Sequence, residues 1–115
     1  MTAWIAGSAL LLACVVAMPV PAGAASPVAL VLRDHHFTPD HLEVPSGQRF
    51  RIEVSNQDAT PAEFESFDMK VEKIIVPGGK VTVTAGPLHP GTYKFFDDYH
   101  PDAATGTITA VEAKE

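Results

Sequence analysis

The chain has 115 residues, of which 14 are acidic and 8 are basic, giving a formal net charge of −6. This acidic balance disfavours nucleic acid and anionic membrane surfaces as partners and favours cations. The single cysteine, Cys14, lies near the start, so the rest of the chain offers neither a disulfide nor a thiolate ligand.

The first predicted element is an export signal. Residues 1–25 contain no Asp, Glu, Lys or Arg, and Ile5 to Val20 form an apolar run. The small residues Ala22–Ala24 predict cleavage before Ala25, which makes residues 1–24 a signal peptide. Two alternatives stay open, namely an uncleaved anchor and lipidation at Cys14. Because the run is short for a transmembrane helix, we expect no membrane span after cleavage.

Residues 28–112 predict one all-β domain. In Arg49–Val54, apolar and charged residues alternate, which is typical of a strand with one buried face. About eight such segments lie between Pro, Gly and Asn turn signals: Val28–Arg33, His41–Val44, Arg49–Val54, Ala62–Ser66, Val71–Val76, Lys80–Thr84, Thr92–Phe96 and Gly106–Val111. Their regular spacing predicts a Greek-key β-sandwich or barrel.

The segment Gly91–His100 is the first candidate metal site. It reads as a buried aromatic strand that ends in Asp97, Asp98 and His100. Side chains just past a strand end are held rigidly, and carboxylate with imidazole suits iron, manganese, copper or zinc. The alternative is a solvated acidic loop.

The order of several segments resembles a cupredoxin across residues 28–111. The segments are Phe37–Pro39, Leu42–Gly47, the strand ending at Asn56, Pro77-Gly78, and Pro87–Tyr93. Small blue copper proteins of this fold bind copper through a His after the Asn…Pro turn, a Cys-x-x-His pair and a later Met. The resemblance implies that these ligand positions have counterparts in this chain. Here Asp97 stands at the Cys position, His100 matches the second His, and Ala62 or Glu63 stands at the first His position. No Met follows His100.

A narrower resemblance concerns Thr60–Ser66, Val71–Lys73, Gly86–Leu88 and Phe95–His100. Together these segments are similar to the cysteine-free cupredoxin-like proteins of bacterial ferrous iron uptake systems. The resemblance implies a periplasmic protein that receives Fe²⁺, with an inner-membrane iron permease and a periplasmic iron-binding protein as partners. It also implies iron, with or without copper, as the bound ion.

Glu63 and Glu65 are the remaining candidate ligands. Two residues apart on a strand, they project to the same face, where their mutual repulsion favours a cation between them. In a cupredoxin-like fold this strand starts beside the loop after Phe96. We therefore expect Glu63 and Glu65 to meet Asp98 and His100 at one pole, with Asp97 as a further candidate. The alternative is a wet face with surface ion pairs worth about 0–1 kcal/mol.

Three other functions stay open. Oxygen ligands stabilise Fe³⁺ more strongly than Fe²⁺, so a ferroxidase is the enzymatic variant of iron binding. A docking module without metal is the second, and a copper storage or delivery protein using Met69 and His35 is the third. No serine lies in a G-x-S-x-G elbow and no glycine-rich loop opens a helix, so no catalytic residue or nucleotide cofactor is predicted.

Overall fold

The computed structural model describes residues 27–112, together with residues 2, 3 and 13. The predicted signal peptide, including Cys14, lies largely outside the described residues. The described part forms nine strands: β1 Val28–Arg33, β2 His36–Thr38, β3 His41–Pro45, β4 Phe50–Asn56, β5 Ala62–Ser66, β6 Val71–Ile75, β7 Lys80–Ala85, β8 Gly91–Asp97 and β9 Thr105–Val111. Eight of them match the predicted segments, and the short strand β2 is additional.

The strands form two sheets, which confirms the all-β prediction. One sheet has the order β2-β1-β4-β7, and the other has the order β3-β9-β8-β5-β6. Two pairs, β1 with β4 and β3 with β9, are parallel, whereas the other pairs are antiparallel. No helix within this part of the chain is long and apolar enough to cross a membrane.

Alternation along each strand builds the core between the sheets. In β4, Phe50, Ile52 and Val54 are buried while Arg51 is exposed, so one face packs inward and the other meets solvent. Three aromatic rings fill the centre of the core. The rings of Phe64 and Phe95 stack at 5.3 Å between centroids, and Phe37 packs edge-on against both. Aromatic pairs in these geometries add to the free energy gained from burial.

The buried Asn56 holds the loop that leads into β5. Its side-chain amide lies within hydrogen-bonding distance of the backbone oxygens of Thr60 and Ile75, and its Oδ1 accepts from the Asp58 amide. Because these bonds tie the end of β4 to both ends of the loop and to β6, they fix where β5 starts. The same bonds place Asp58 beside the turn between β1 and β2.

Candidate metal centre

Strand β5 sends its apolar and acidic residues to opposite faces. Phe64 is completely buried in the core, so Glu63 and Glu65 point outward from the five-stranded sheet. The hairpin register then places Glu65 opposite Glu72 on β6 and Glu63 opposite Ile74. Directly opposed residues of an antiparallel pair share a face, so the face carries three acids from two strands.

These three glutamates, hereafter the glutamate cluster, have converging side chains. One carboxylate oxygen from each of Glu63, Glu65 and Glu72 lies within 4.8 Å of the other two. Glu63 is buried at 8% exposure, Glu65 is half-buried and Glu72 is exposed. Oxygen atoms converging in this way are the ligand set that hard divalent ions prefer.

The electrostatics of the cluster are those of crowded negative charge. Burial raises the pKa of Glu65, and the charges of Asp98, Glu72 and Glu63 raise it further. A hydrogen bond to Glu63 and the charge of Glu63 raise the pKa of Glu72, with burial and Asp98 acting in the same direction. All of these effects raise the pKa values of Glu65 and Glu72 and so oppose their ionisation. A bound cation would offset the repulsion between the carboxylates.

Residues after β8 lie beside the glutamate cluster. The Asp98 amide donates to the Glu63 carbonyl at 2.9 Å. This bond holds the Asp98 carboxylate close enough to the cluster for its charge to raise the pKa of Glu65. Tyr99 is 44% exposed. Its pKa is raised first by burial and then by the charge of Glu63 and a hydrogen bond to it. Asp98 thus adds a fourth carboxylate near the cluster, and Tyr99 adds a hydroxyl.

Asp97, another predicted ligand, has a different environment. Its side chain is completely buried, and both oxygens face hydrogen-bonding groups. Oδ1 accepts from the backbone amides of Glu63 at 2.9 Å and Tyr99 at 3.0 Å, and Oδ2 lies 3.1 Å from Nδ1 of His100. A carboxylate held by three donors stabilises the loop after β8, so Asp97 joins β5 to that loop.

His100 is not a member of the glutamate cluster. Its Nδ1 faces Asp97, and its ring stacks on that of His35 at 3.8 Å between centroids. The structure therefore divides the five predicted ligands between two places. Glu63 and Glu65 lie on the sheet face with Asp98 near them, whereas Asp97 contacts His100, whose ring stacks on His35.

Glu72 is the member of the cluster that sequence reasoning missed. The available signal was the length of the hairpin loop, since only residues 67–70 separate β5 from β6 and Ser66 pairs with Val71. That register alone puts Glu72 opposite Glu65.

The residues at the expected blue copper positions do not fit a Cys, two His and Met ligand set. Ala62, at one of the two candidate positions for the first His, is buried at 1% exposure and has no ligand atom. Asp97 stands where the thiolate would be, and no Met follows His100. The second candidate position, Glu63, belongs to the glutamate cluster. Because residues 27–112 contain no cysteine, the intense copper–sulfur site of blue copper proteins has no counterpart in this described part of the chain.

Comparison with known proteins identifies the family of this chain. The cupredoxin-like domain family matches residues 5–110. The uncharacterized protein RP394 of Rickettsia prowazekii (strain Madrid E) is 41% identical over 81 residues, which is 70% of this chain. The chain spans 65% of the length of that relative.

Solved cupredoxins share the fold at low sequence identity. Auracyanin from Roseiflexus castenholzii superposes with a TM-score of 0.64 at 19% identity, covering 77% of this chain and 99% of its own. The purple cupredoxin from Nitrosopumilus maritimus gives 0.59 at 18% identity, covering 73% and 99%. Amicyanin from Paracoccus versutus gives 0.58 at 14% identity, covering 80% and 85%. Because the family match extends over residues 5–110, nearly the whole length, this chain belongs to the cupredoxin-like domain family.

Proposed function

We propose that this protein binds Fe²⁺ as cargo at the glutamate cluster, in the periplasm, and passes it to an inner-membrane iron permease or a periplasmic iron-binding partner. The observation that carries the proposal is the convergence of three carboxylates within 4.8 Å around the buried Glu63. The resemblance of Thr60–Ser66 and Phe95–His100 to cupredoxin-like proteins of ferrous iron uptake supports the identity of the ion and the partners.

The chemistry of the cluster favours a hard ion over a soft one. All the ligand atoms offered by Glu63, Glu65, Glu72 and the nearby Asp98 are oxygens. Oxygen ligands suit Fe²⁺, Mn²⁺ and similar ions, whereas Cu(I) prefers thiolate and thioether. Met69, the soft ligand of the copper storage alternative, is buried within the hydrophobic core at 8% exposure. Its position disfavours that alternative.

Cargo binding also requires that the ion can leave. Glu65 and Glu72 are partly or fully open to solvent, and only Glu63 is buried. An ion held by one buried and two accessible carboxylates exchanges more readily than one enclosed on all sides. This openness suits delivery better than permanent storage.

Anaerobic titration of Fe²⁺, with Mn²⁺ as a redox-inert substitute, tests the proposal. We expect Glu63→Gln, Glu65→Gln and Glu72→Gln each to weaken binding by about tenfold or more, since each removes a charged ligand. Glu43→Gln is the matched control, because Glu43 is an exposed acid on β3 of the same sheet. Wild-type affinity in all three cluster variants would refute the site.

The ferroxidase variant is tested in the same proteins under air. Oxidation of Fe²⁺ to Fe³⁺ releases one electron to dioxygen, and three carboxylates would stabilise the more highly charged product. Faster loss of Fe²⁺ with wild type than with Glu63→Gln would make the protein an enzyme. Equal rates would leave it as a carrier.

A docking role without metal is the second candidate, favoured by one surface feature. An open groove of about 760 Å³ lies beside Asp98, lined in part by Phe67, Phe96 and Pro101. Phe67 is 70% exposed and packs edge-on against Phe96. If iron uptake in cells survives Glu63→Gln but fails in Phe67→Ser, docking and not metal binding is the function.

A further inference from the structure

Exposed apolar side chains border the glutamate cluster. Phe67, in the hairpin loop between β5 and β6, is 70% exposed, and Ile74 on β6 is 55% exposed. The register places Ile74 directly opposite Glu63, so these two side chains share the outward face of the sheet. Apolar side chains that gather on one exposed surface and are rimmed by polar groups are typical of sites that contact another protein.

Strand β8 continues this surface on the other side of β5. Phe96 lies opposite Glu65 in the register, and the Phe67 ring packs edge-on against Phe96 at 5.2 Å between centroids. Tyr99, in the loop after β8, hydrogen bonds to Glu63. Apolar and aromatic side chains thus border the acids from β6, from β8 and from the loop that follows β8.

Phe67 lines both the open groove beside Asp98 and a smaller pocket. The smaller pocket has a volume of about 260 Å³, and its walls include Glu65, Lys70 and Glu72. It therefore combines an aromatic ring with two carboxylates and one ammonium group. Because the acids outnumber the base, the pocket attracts a positively charged side chain.

The chemistry of the smaller pocket favours arginine. A guanidinium is planar and always charged, so it can stack on an aromatic ring while it donates two hydrogen bonds to a carboxylate. Phe67 offers the ring, and Glu65 and Glu72 offer the carboxylates. The charges of Glu63 and Asp98 act on the same two glutamates, and they add to the attraction for a cation.

We propose that the protein that receives the cargo docks on this surface and places an exposed arginine in the pocket beside Phe67. Apolar side chains of the partner then cover the groove and Ile74. The arginine pairs with carboxylates that the ion also uses, so docking and ion binding compete. Docking thereby lowers the affinity for the ion at the moment of transfer. The competition rests on the proposed function, whereas recognition of the arginine is measured without metal.

The test adds the peptide acetyl-Leu-Arg-Val-amide to the metal-free, ¹⁵N-labelled full chain and follows the backbone amide shifts. The shifts should be concentrated in the hairpin formed by β5 and β6. A second peptide carries citrulline in place of arginine, which keeps the shape of the side chain and removes its charge. It should bind about tenfold more weakly or less tightly still, since it loses charge-assisted hydrogen bonds.

Matched variants separate the two parts of the pocket. Glu72→Gln should weaken binding of the arginine peptide about tenfold, whereas Glu43→Gln, at an exposed acid on β3, should not change it. Phe67→Ser removes the ring and should weaken binding about two- to fivefold. Val111→Ser, at an exposed apolar residue at the end of β9, should not. All four side chains are exposed, so these variants keep the fold.

Competition is measured with Mn²⁺, because free Mn²⁺ gives a distinct electron paramagnetic resonance signal. With the arginine peptide at about ten times its dissociation constant, the apparent Mn²⁺ affinity should fall about tenfold. The citrulline peptide at the same concentration should release much less Mn²⁺. Mn²⁺ that stays bound beside saturating arginine peptide would overturn the competition.

Two further outcomes would overturn the docking inference. One is a failure of the arginine peptide to bind more tightly than the citrulline peptide, and the other is a set of shifts centred outside the hairpin. Either result leaves Mn²⁺ binding, and with it the proposed function, intact. Failure of the proposed function looks different, because a protein that binds no Mn²⁺ would still prefer the arginine peptide.

Discussion

Two acidic regions of this domain lie side by side and behave differently. In the histidine pole, formed by His35, Asp58, Asp97 and His100, each carboxylate faces backbone amides and an imidazole. In the glutamate cluster, carboxylates face other carboxylates, and the pKa values of Glu65 and Glu72 are raised. The contrast separates acids whose oxygens accept hydrogen bonds from acids whose charges repel one another, and the proposed cation site depends on that repulsion.

The backbone between the two regions connects them. The Glu63 amide donates to Asp97 in the histidine pole, while the Glu63 carboxylate belongs to the glutamate cluster. The buried Asp97 carboxylate therefore positions the proposed ligand Glu63 through the Glu63 backbone amide and not through the Glu63 carboxylate. Asp97 is for this reason a positioning residue in the proposed iron site.

The largest expected effect is on the histidine pole. Asp97→Ala removes the acceptor of two backbone amides and of His100, and each backbone amide left without a partner should cost about 1–3 kcal/mol of unfolding free energy. Urea unfolding measures the change. Asp98→Ala is the matched control, since Asp98 is the exposed neighbour and should leave stability nearly unchanged. Similar losses in both variants would remove the distinction between the two regions.

The next effect concerns the glutamate cluster with its ion. At a free Mn²⁺ concentration a hundred times the dissociation constant, binding to the folded state alone stabilises it by about 2.7 kcal/mol. Thermal unfolding with and without Mn²⁺ should show this gain in wild type and in Glu43→Gln, and a much smaller gain in Glu63→Gln. Equal gains in Glu63→Gln and wild type would assign the ion to another place.

A third change tests how firmly the histidine pole is held. Asp58→Ala deprives the amides of Asp34 and His35 of their acceptor and should cost about 1–3 kcal/mol of unfolding free energy. Asp58→Asn, which keeps one acceptor oxygen, should cost less. Hydrogen exchange should show the amides of the 34–35 turn losing protection, while those of β5 keep it.

The smallest effect is a pH dependence confined to the glutamate cluster. Because the folded-state pKa values of Glu65 and Glu72 are raised, the folded protein holds more protons than the unfolded chain as these groups titrate. Their stabilising contribution is complete below the unfolded pKa and is lost as the pH rises through the folded pKa. Metal-free Glu65→Gln should therefore show a flatter fall in stability with rising pH than wild type.

Metal binding should reverse this trend. An ion competes with protons for the same oxygens, so Mn²⁺ affinity should increase as the pH rises. Titrations at several pH values check the sign. An affinity independent of pH would indicate that the ion does not bind at the cluster.

Much of the fold was predictable because strand patterns are local. The alternation in Phe50–Val54 fixed one buried face, and the same rule placed Glu63 and Glu65 together with Phe64 opposite. Strand β2 was missed because a three-residue segment, His36–Thr38, is too short to show a period. Its antiparallel pairing with β1 depends on the intervening turn, whose amides Asp34 and His35 donate to Asp58.

The sequence by itself determined the all-β architecture, the outward pair of glutamates and the lack of a thiolate ligand at the strand end. Only the tertiary structure decided that Asp97 is buried with both oxygens in hydrogen-bonding contacts, that Glu72 completes the cluster and that His35 stacks on His100. The reason is distance along the chain. Side-chain direction within a strand follows from neighbouring residues, whereas these three contacts depend on how a hairpin register and two separate loops meet in space.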